Sequence, residues 1–185
     1  MTRIATGAAA VLMLAGAAVA DAQPPDFSGT WKLDASRSRV AEAAGLAGLI
    51  GAGAPATLHI TQAANGTLVV ESQINEGHAR LYRPGRRIST PVTVGPAGRV
   101  AMTSRWEGRS LVSEGTREFT SGNSPVATQV REVLSLSADG RTLTIEVTTT
   151  AAGDESASTM VYTRTQDVGP CQTWPTPCKT PSRQP

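Results

Sequence analysis

Aromatic side chains are scarce in this chain: two Phe, two Tyr and three Trp among 185 residues. Platforms on which bases or sugar rings stack are correspondingly few. Histidine is limited to His59 and His78, which lie on different segments and lack the clustering of a metal site. The two cysteines, Cys171 and Cys178, are separated by six residues near the end, and there is no Cys-x-x-Cys pair for redox work. Gly-x-Ser-x-Gly, Walker-type and His-Glu-x-x-His motifs are missing too, which removes the common hydrolase, nucleotide-binding and zincin signatures. The net charge is only +2, too small to hold a polyanion, so nucleic acid is not an expected partner. The Arg80, Arg83, Arg86, Arg87 cluster reads as a solvated rim. No cofactor is implied, and the composition points away from an enzyme.

What is present begins with targeting. Arg3 precedes a small-residue apolar run from Ile4 to Ala20, followed by Ala18-Val19-Ala20 and Ala20-Asp21-Ala22. This layout predicts a secretory signal peptide over residues 1–22 and a periplasmic or secreted protein. No later stretch is apolar and long enough to span a bilayer. In an exported chain Cys171 and Cys178 are expected to form one local disulfide, stapling a Pro-rich tail over residues 167–185.

The body is organised around Asp26-Phe27-Ser28-Gly29-Thr30-Trp31-Lys32-Leu33-Asp34. Phe27, Gly29, Trp31 and Leu33 alternate with polar neighbours, the pattern of a strand with one buried face. From Ser36 to Ile50 the rhythm changes to three- and four-residue spacing, which predicts one short amphipathic helix, or two helical turns, with Ser36 as N-cap. After Pro55 the alternation returns almost to the end. Asn65-Gly66, Gly95-Pro96-Ala97-Gly98, Glu107-Gly108, Asp139-Gly140 and Gly153-Asp154 supply turns, and Ser121–Pro125 reads as a longer loop. An antiparallel meander of this size avoids exposed edges by closing, so the expected fold is all-β, an up-and-down barrel of about eight to ten strands over residues 26–166.

Phe27-Ser28-Gly29-Thr30-Trp31-Lys32-Leu33 resembles the opening strand of the calycins. It is similar both to the Gly-x-Trp motif of lipocalins and to the start of intracellular fatty-acid-binding proteins. The last strand, Met160-Val161-Tyr162-Thr163-Arg164, resembles the aromatic and basic ending of the latter. In outline the chain is also similar to exported bacterial proteins with lipocalin-like domains. The resemblance implies a lipocalin-like barrel binding a small, largely apolar ligand. The alternative is a filled barrel that serves as a non-catalytic envelope or interaction protein. Fatty-acid-binding proteins clamp a carboxylate with Arg-x-Tyr, whereas this chain has Tyr162-x-Arg164, so that clamp does not transfer. In lipocalins a late Arg packs across the Trp of the first strand. Arg164 over Trp31 would be that contact, a cation–π pair worth about 0.5–1 kcal/mol, and contact with ligand is the other role open to Arg164.

Trp31, Trp106, Arg117, Glu132, Tyr162 and Arg164 are the candidate ligand-binding residues. Arg117 shares a strand face with Leu111, Ser113 and Gly115, and Glu132 shares one with Val130, Leu134 and Leu136. Charges on such faces need partners or a wet cavity. One reading therefore pairs Arg117 with Glu132 inside the barrel, and a bulge that turns either outward is the other. Glu107 and Glu114 are further carboxylates, but no spacing singles out a catalytic pair.

Overall fold

The computed structural model describes residues 24–41, 54–72, 79–92 and 97–166. They form ten antiparallel strands: β1 (Gly29–Leu33), β2 (Thr57–Gln62), β3 (Leu68–Ser72), β4 (Arg80–Tyr82), β5 (Arg87–Val92), β6 (Gly98–Glu107), β7 (Ser110–Ser121), β8 (Ser124–Leu136), β9 (Thr142–Ala151) and β10 (Asp154–Gln166). The sheet order is β4-β3-β2-β1-β10-β9-β8-β7-β6-β5. Each strand therefore pairs with its sequence neighbour, and β1 also pairs with β10, except that β4 and β5 share no ladder. The result is an all-β, up-and-down barrel that is nearly closed. At the open seam the chain between β4 and β5 leans on β6 instead: Pro84 bridges Ser104, and the Gly85 amide donates to the Ser104 carbonyl at 2.8 Å.

The alternation that generates the strands also builds the core. On β9, Leu143, Ile145 and Val147 are fully buried, while the alternating Thr142, Thr144 and Thr148 are only partly covered and Glu146 is exposed. β-Branched residues suit such a half-buried pleat. Trp31, Phe27, Leu58, Ile60, Leu111, Leu134, Met160 and Tyr162 complete the apolar interior, all with no exposure.

Three sequence expectations change. Ser36 caps no helix: residues 35–37 form a turn in which its hydroxyl donates to Asp34 Oδ1 at 2.6 Å, and Arg39 then bridges Thr159 of β10. The rest of the expected helix lies outside the described residues, as do the signal peptide, His78, Cys171 and Cys178. The loop expected at Ser121–Pro125 is a two-residue turn, because Gly122 adopts φ 60° at its first position and Ser121 pairs directly with Ser124. β10 starts at Asp154 because Ala152 and Gly153, both at positive φ, close an equally tight turn.

Two glycine-related substitutions test this geometry in opposite directions. A Cβ at Gly115 would collide with the backbone oxygen of Ala101 and lie 2.7 Å from Met102 Cα. Neither backbone atom can yield cheaply, so Gly115→Ala is expected to cost about 1–3 kcal/mol in urea unfolding. Ala152 holds φ 52° without the freedom of glycine, and Ala152→Gly should raise stability by about 0.5–1 kcal/mol. Loss of stability on Ala152→Gly would refute the left-handed turn.

Candidate functional site

The interior is layered, and the layers follow from strand register. Leu111, Leu134, Ile145 and Met160 stand opposite one another on β7 to β10 and form an apolar floor. One inward step further along, Ser104, Ser113, Glu132, Val147 and Ser158 are successive cross-strand neighbours from β6 to β10. Ser113 and Glu132 have no exposure, and Ser104 and Ser158 have almost none. The hydroxyls of Ser104 and Ser113 are hydrogen-bonded at 2.7 Å. The barrel thus carries a polar belt across its middle.

β4 completes this belt from the far side of the seam. Its two inward side chains, Arg80 and Tyr82, are 4 % and 1 % exposed. The Tyr82 hydroxyl donates to Glu132 Oε2 at 2.9 Å. Arg80 Nη2 lies 4.0 Å from the same oxygen and donates to Met102 Sδ of β6 at 2.8 Å. The guanidinium also stands 5.4 Å from the centroid of the Tyr82 ring. Side chains therefore join β4 to β6 and β8 where no backbone ladder does.

The cluster is only half satisfied. Glu132 Oε1, Arg80 Nε and Arg80 Nη1 are buried and have no hydrogen-bond partner among the described residues. An unpaired buried polar atom costs about 1–3 kcal/mol, more where charge is involved. A buried ion pair is also weak support for a fold, since its desolvation offsets most of the attraction. Burial raises the Glu132 carboxyl above its ordinary value, opposed by the charge of Arg80 and the bond from Tyr82. Burial likewise pushes the Tyr82 phenol well up, and the neighbouring Glu132 charge adds to this.

The sequence candidates fall into three places. Trp31 and Arg164 meet toward one end of the barrel as cross-strand partners, with the guanidinium 4.5 Å from the indole centroid. Arg164 Nη2 also donates to the Asp26 carbonyl at 2.9 Å, and Trp31 Nε1 to the Phe27 carbonyl at 3.0 Å. Trp106 packs on Phe27 with ring centroids 5.8 Å apart. Tyr162, two residues before Arg164, is buried there and donates to the Pro55 carbonyl at 3.2 Å. Glu132 lies in the belt. Arg117 faces Val100 and Thr128 near the opposite end, 8 % exposed and 4.9 Å over the Phe119 ring, and burial lowers its pKa.

Arg117 and Glu132 therefore both point inward but are not partners: four residues of β7 separate their register positions, about 13 Å of strand. The partner of Glu132 is Arg80, which leaves the expected solvated rim because the β3 register places it opposite Val70 on the inner face. Glu107 and Glu114 lie on the outer surface with Arg105 and Arg131 at 2.6–3.1 Å, on the other side of the wall from Glu132. Arg80, Tyr82, Ser104 and Ser113 were not singled out from sequence. Hairpin register could have found the serines, since the two-residue turn after Glu107 sets Ser104 against Ser113.

Among the described residues no group of His, Cys, Asp or Glu is arranged to hold a metal ion, and no helix is long and apolar enough to cross a membrane. No protein-family model matches the chain, and no curated protein matches its sequence.

Two titrations test the burial of the belt. Tyr82 and Tyr162 are the only tyrosines, and burial raises both phenols above the ordinary value of 10.0. Phenolate absorbance should therefore stay absent at pH 10 and appear only as the protein unfolds; a normal titration curve would place a phenol in water. For Glu132 the folded pKa lies above 4.5, so the stability this one group contributes is complete below pH 4.5 and declines as pH rises through the folded value. In Glu132→Gln that decline should be shallower, while loss of the carboxylate partner of Arg80 adds an offset independent of pH. Parallel stability curves would show that Glu132 is solvated.

Proposed function

We propose that this protein is an exported, lipocalin-like barrel, of the calycin type its first and last strands resemble, that binds a small, largely apolar ligand inside. The supporting observation is the half-satisfied cluster of Arg80, Tyr82 and Glu132, set among buried serines above an apolar floor. Such a cluster contributes little to folding, yet it offers directed donors and acceptors in an environment that excludes water. That combination of an apolar wall and a few convergent polar groups is how small-molecule sites achieve orientation. Arg117 and Thr128, with Thr149 near them, form a second, more polar zone further along the barrel. In this reading Trp31, Tyr162 and Arg164 close the barrel end, Trp106 reports occupancy, and Cys171 and Cys178 are bridged in the periplasm or outside the cell.

A second reading, the interaction protein, draws on a different feature. An open groove of 530 Å³ lies at the β6–β8 end, lined by Phe119, Pro125, Val126 and Ala127 between Arg99 and Glu118. A partner seated there would need no ligand inside.

Native mass spectrometry of the mature protein, purified from its own producer, distinguishes the two. A co-purifying apolar small molecule, or saturable quenching of Trp106 by fatty alcohols, fatty acids, retinoids or tetrapyrroles, is the expected result. A bare protein that binds none of these classes would sink the carrier reading.

A further inference from the structure

The chemistry of the belt selects among apolar ligands by their polar end. Arg80 and Glu132 are both essentially enclosed, 4 % and 0 % exposed. Their charges cancel locally: the carboxylate accepts from Tyr82 and faces the guanidinium at 4.0 Å. Arg117, an inward-facing cation on β7, is four register positions away, and its guanidinium is held over Phe119. A ligand carboxylate delivered to the belt would leave a net negative charge in a dry interior beside Glu132, with no further cation at hand among the described residues. Burial of an uncompensated charge is strongly disfavoured. The atoms still without partners are of both kinds: Glu132 Oε1 needs a donor, and Arg80 Nε and Nη1 need acceptors. A group that donates and accepts, and carries no charge, meets that demand.

We propose that the Arg80–Glu132–Tyr82 cluster is a binding site for the neutral head of an otherwise apolar ligand, a hydroxyl or a carboxamide, and that it discriminates against a carboxylate. The inference rests on the carrier reading above and sharpens it to a ligand class. In the bound state the head donates to Glu132 Oε1 and accepts from Arg80, while the apolar body lies against inward side chains such as Met102, Val130 and Val147. Tyr82 acts by holding the second carboxylate oxygen, which leaves Oε1 as the free acceptor.

The test uses the mature full chain at neutral pH and a fluorescent apolar probe, displaced by four competitors that share one alkyl chain: an alkane, a primary alcohol, a primary amide and a carboxylate. The alcohol and amide are expected to displace the probe at concentrations about tenfold or more below the alkane and the carboxylate, the effect of satisfying buried groups otherwise left unpaired. In the double variant Arg80→Met with Glu132→Leu, probe binding should persist and the preference should vanish. Replacing a buried ion pair by apolar side chains of similar size commonly leaves folding intact, which circular dichroism will verify. Glu132→Gln supplies an independent arm: it removes the negative charge but leaves Arg80 in place, so the carboxylate should gain relative to the alcohol. Four equal competitors would overturn the head-group site while leaving the carrier reading in place, the belt then being served by water alone. A carboxylate that binds best would overturn the assignment of a neutral ligand. Failure of the probe and of every competitor to bind would overturn the carrier reading and this inference together.

Discussion

Trp31 sits where the first and last strands of the meander meet, and the architecture depends on that meeting. β1 is short, yet it is flanked by β2 on one side and β10 on the other. A meander of ten strands leaves its first and last strands as exposed edges unless they find each other. Here they pair through a register that shifts between Thr30 and Trp31 and sets Trp31 opposite Arg164. The indole is fully buried, its N–H is satisfied by the Phe27 carbonyl, and the guanidinium lies over its face. Phe27, fixed beneath it through Gln62 Oε1, which accepts its amide at 2.9 Å, passes the contact on to Trp106. One aromatic side chain thereby links strands that are distant in sequence, and closure follows from its burial.

At the opposite seam the logic is reversed. β4 and β5 share no ladder, and the three-residue β4 is anchored to the far wall by Tyr82 and Arg80 rather than by backbone bonds alone. Polar contacts placed there are expensive because water is excluded, and they are directional for the same reason. The floor of Leu111, Leu134, Ile145 and Met160 would support the barrel without them. A belt that adds little to stability but fixes donor and acceptor directions is the feature on which the proposed recognition of a ligand rests.

Much of this was legible from residue order. Alternation pointed to a meander of about eight to ten strands, of which the barrel has ten, and the turn glycines placed most of their ends, because a half-buried pleat has a period of two wherever it occurs. The Trp31–Arg164 contact was anticipated from the two terminal motifs, and the inward faces of Arg117 and Glu132 from their apolar neighbours. The expected pairing of those two charges with each other does not occur: it depends on how far each strand slides past the next. Reading Ser121–Pro125 as a longer loop concealed the register that sets Ser113 against Glu132. Arg80 was hidden for a different reason. A cluster of four arginines resembles a solvated rim, and a three-residue strand carries too little alternation to show that its first member turns inward.

The sequence alone determined that the chain is a strand meander with one apolar face, led by a stretch built to bury Trp31, because those features are local and repeat with the pleat. Only the tertiary structure decided which charges meet in the interior. Tyr82 and Glu132 lie 50 residues apart; with Arg80 they come together through barrel curvature and register, which no local pattern encodes. Their half-satisfied hydrogen bonding exists only after water has been removed from around them.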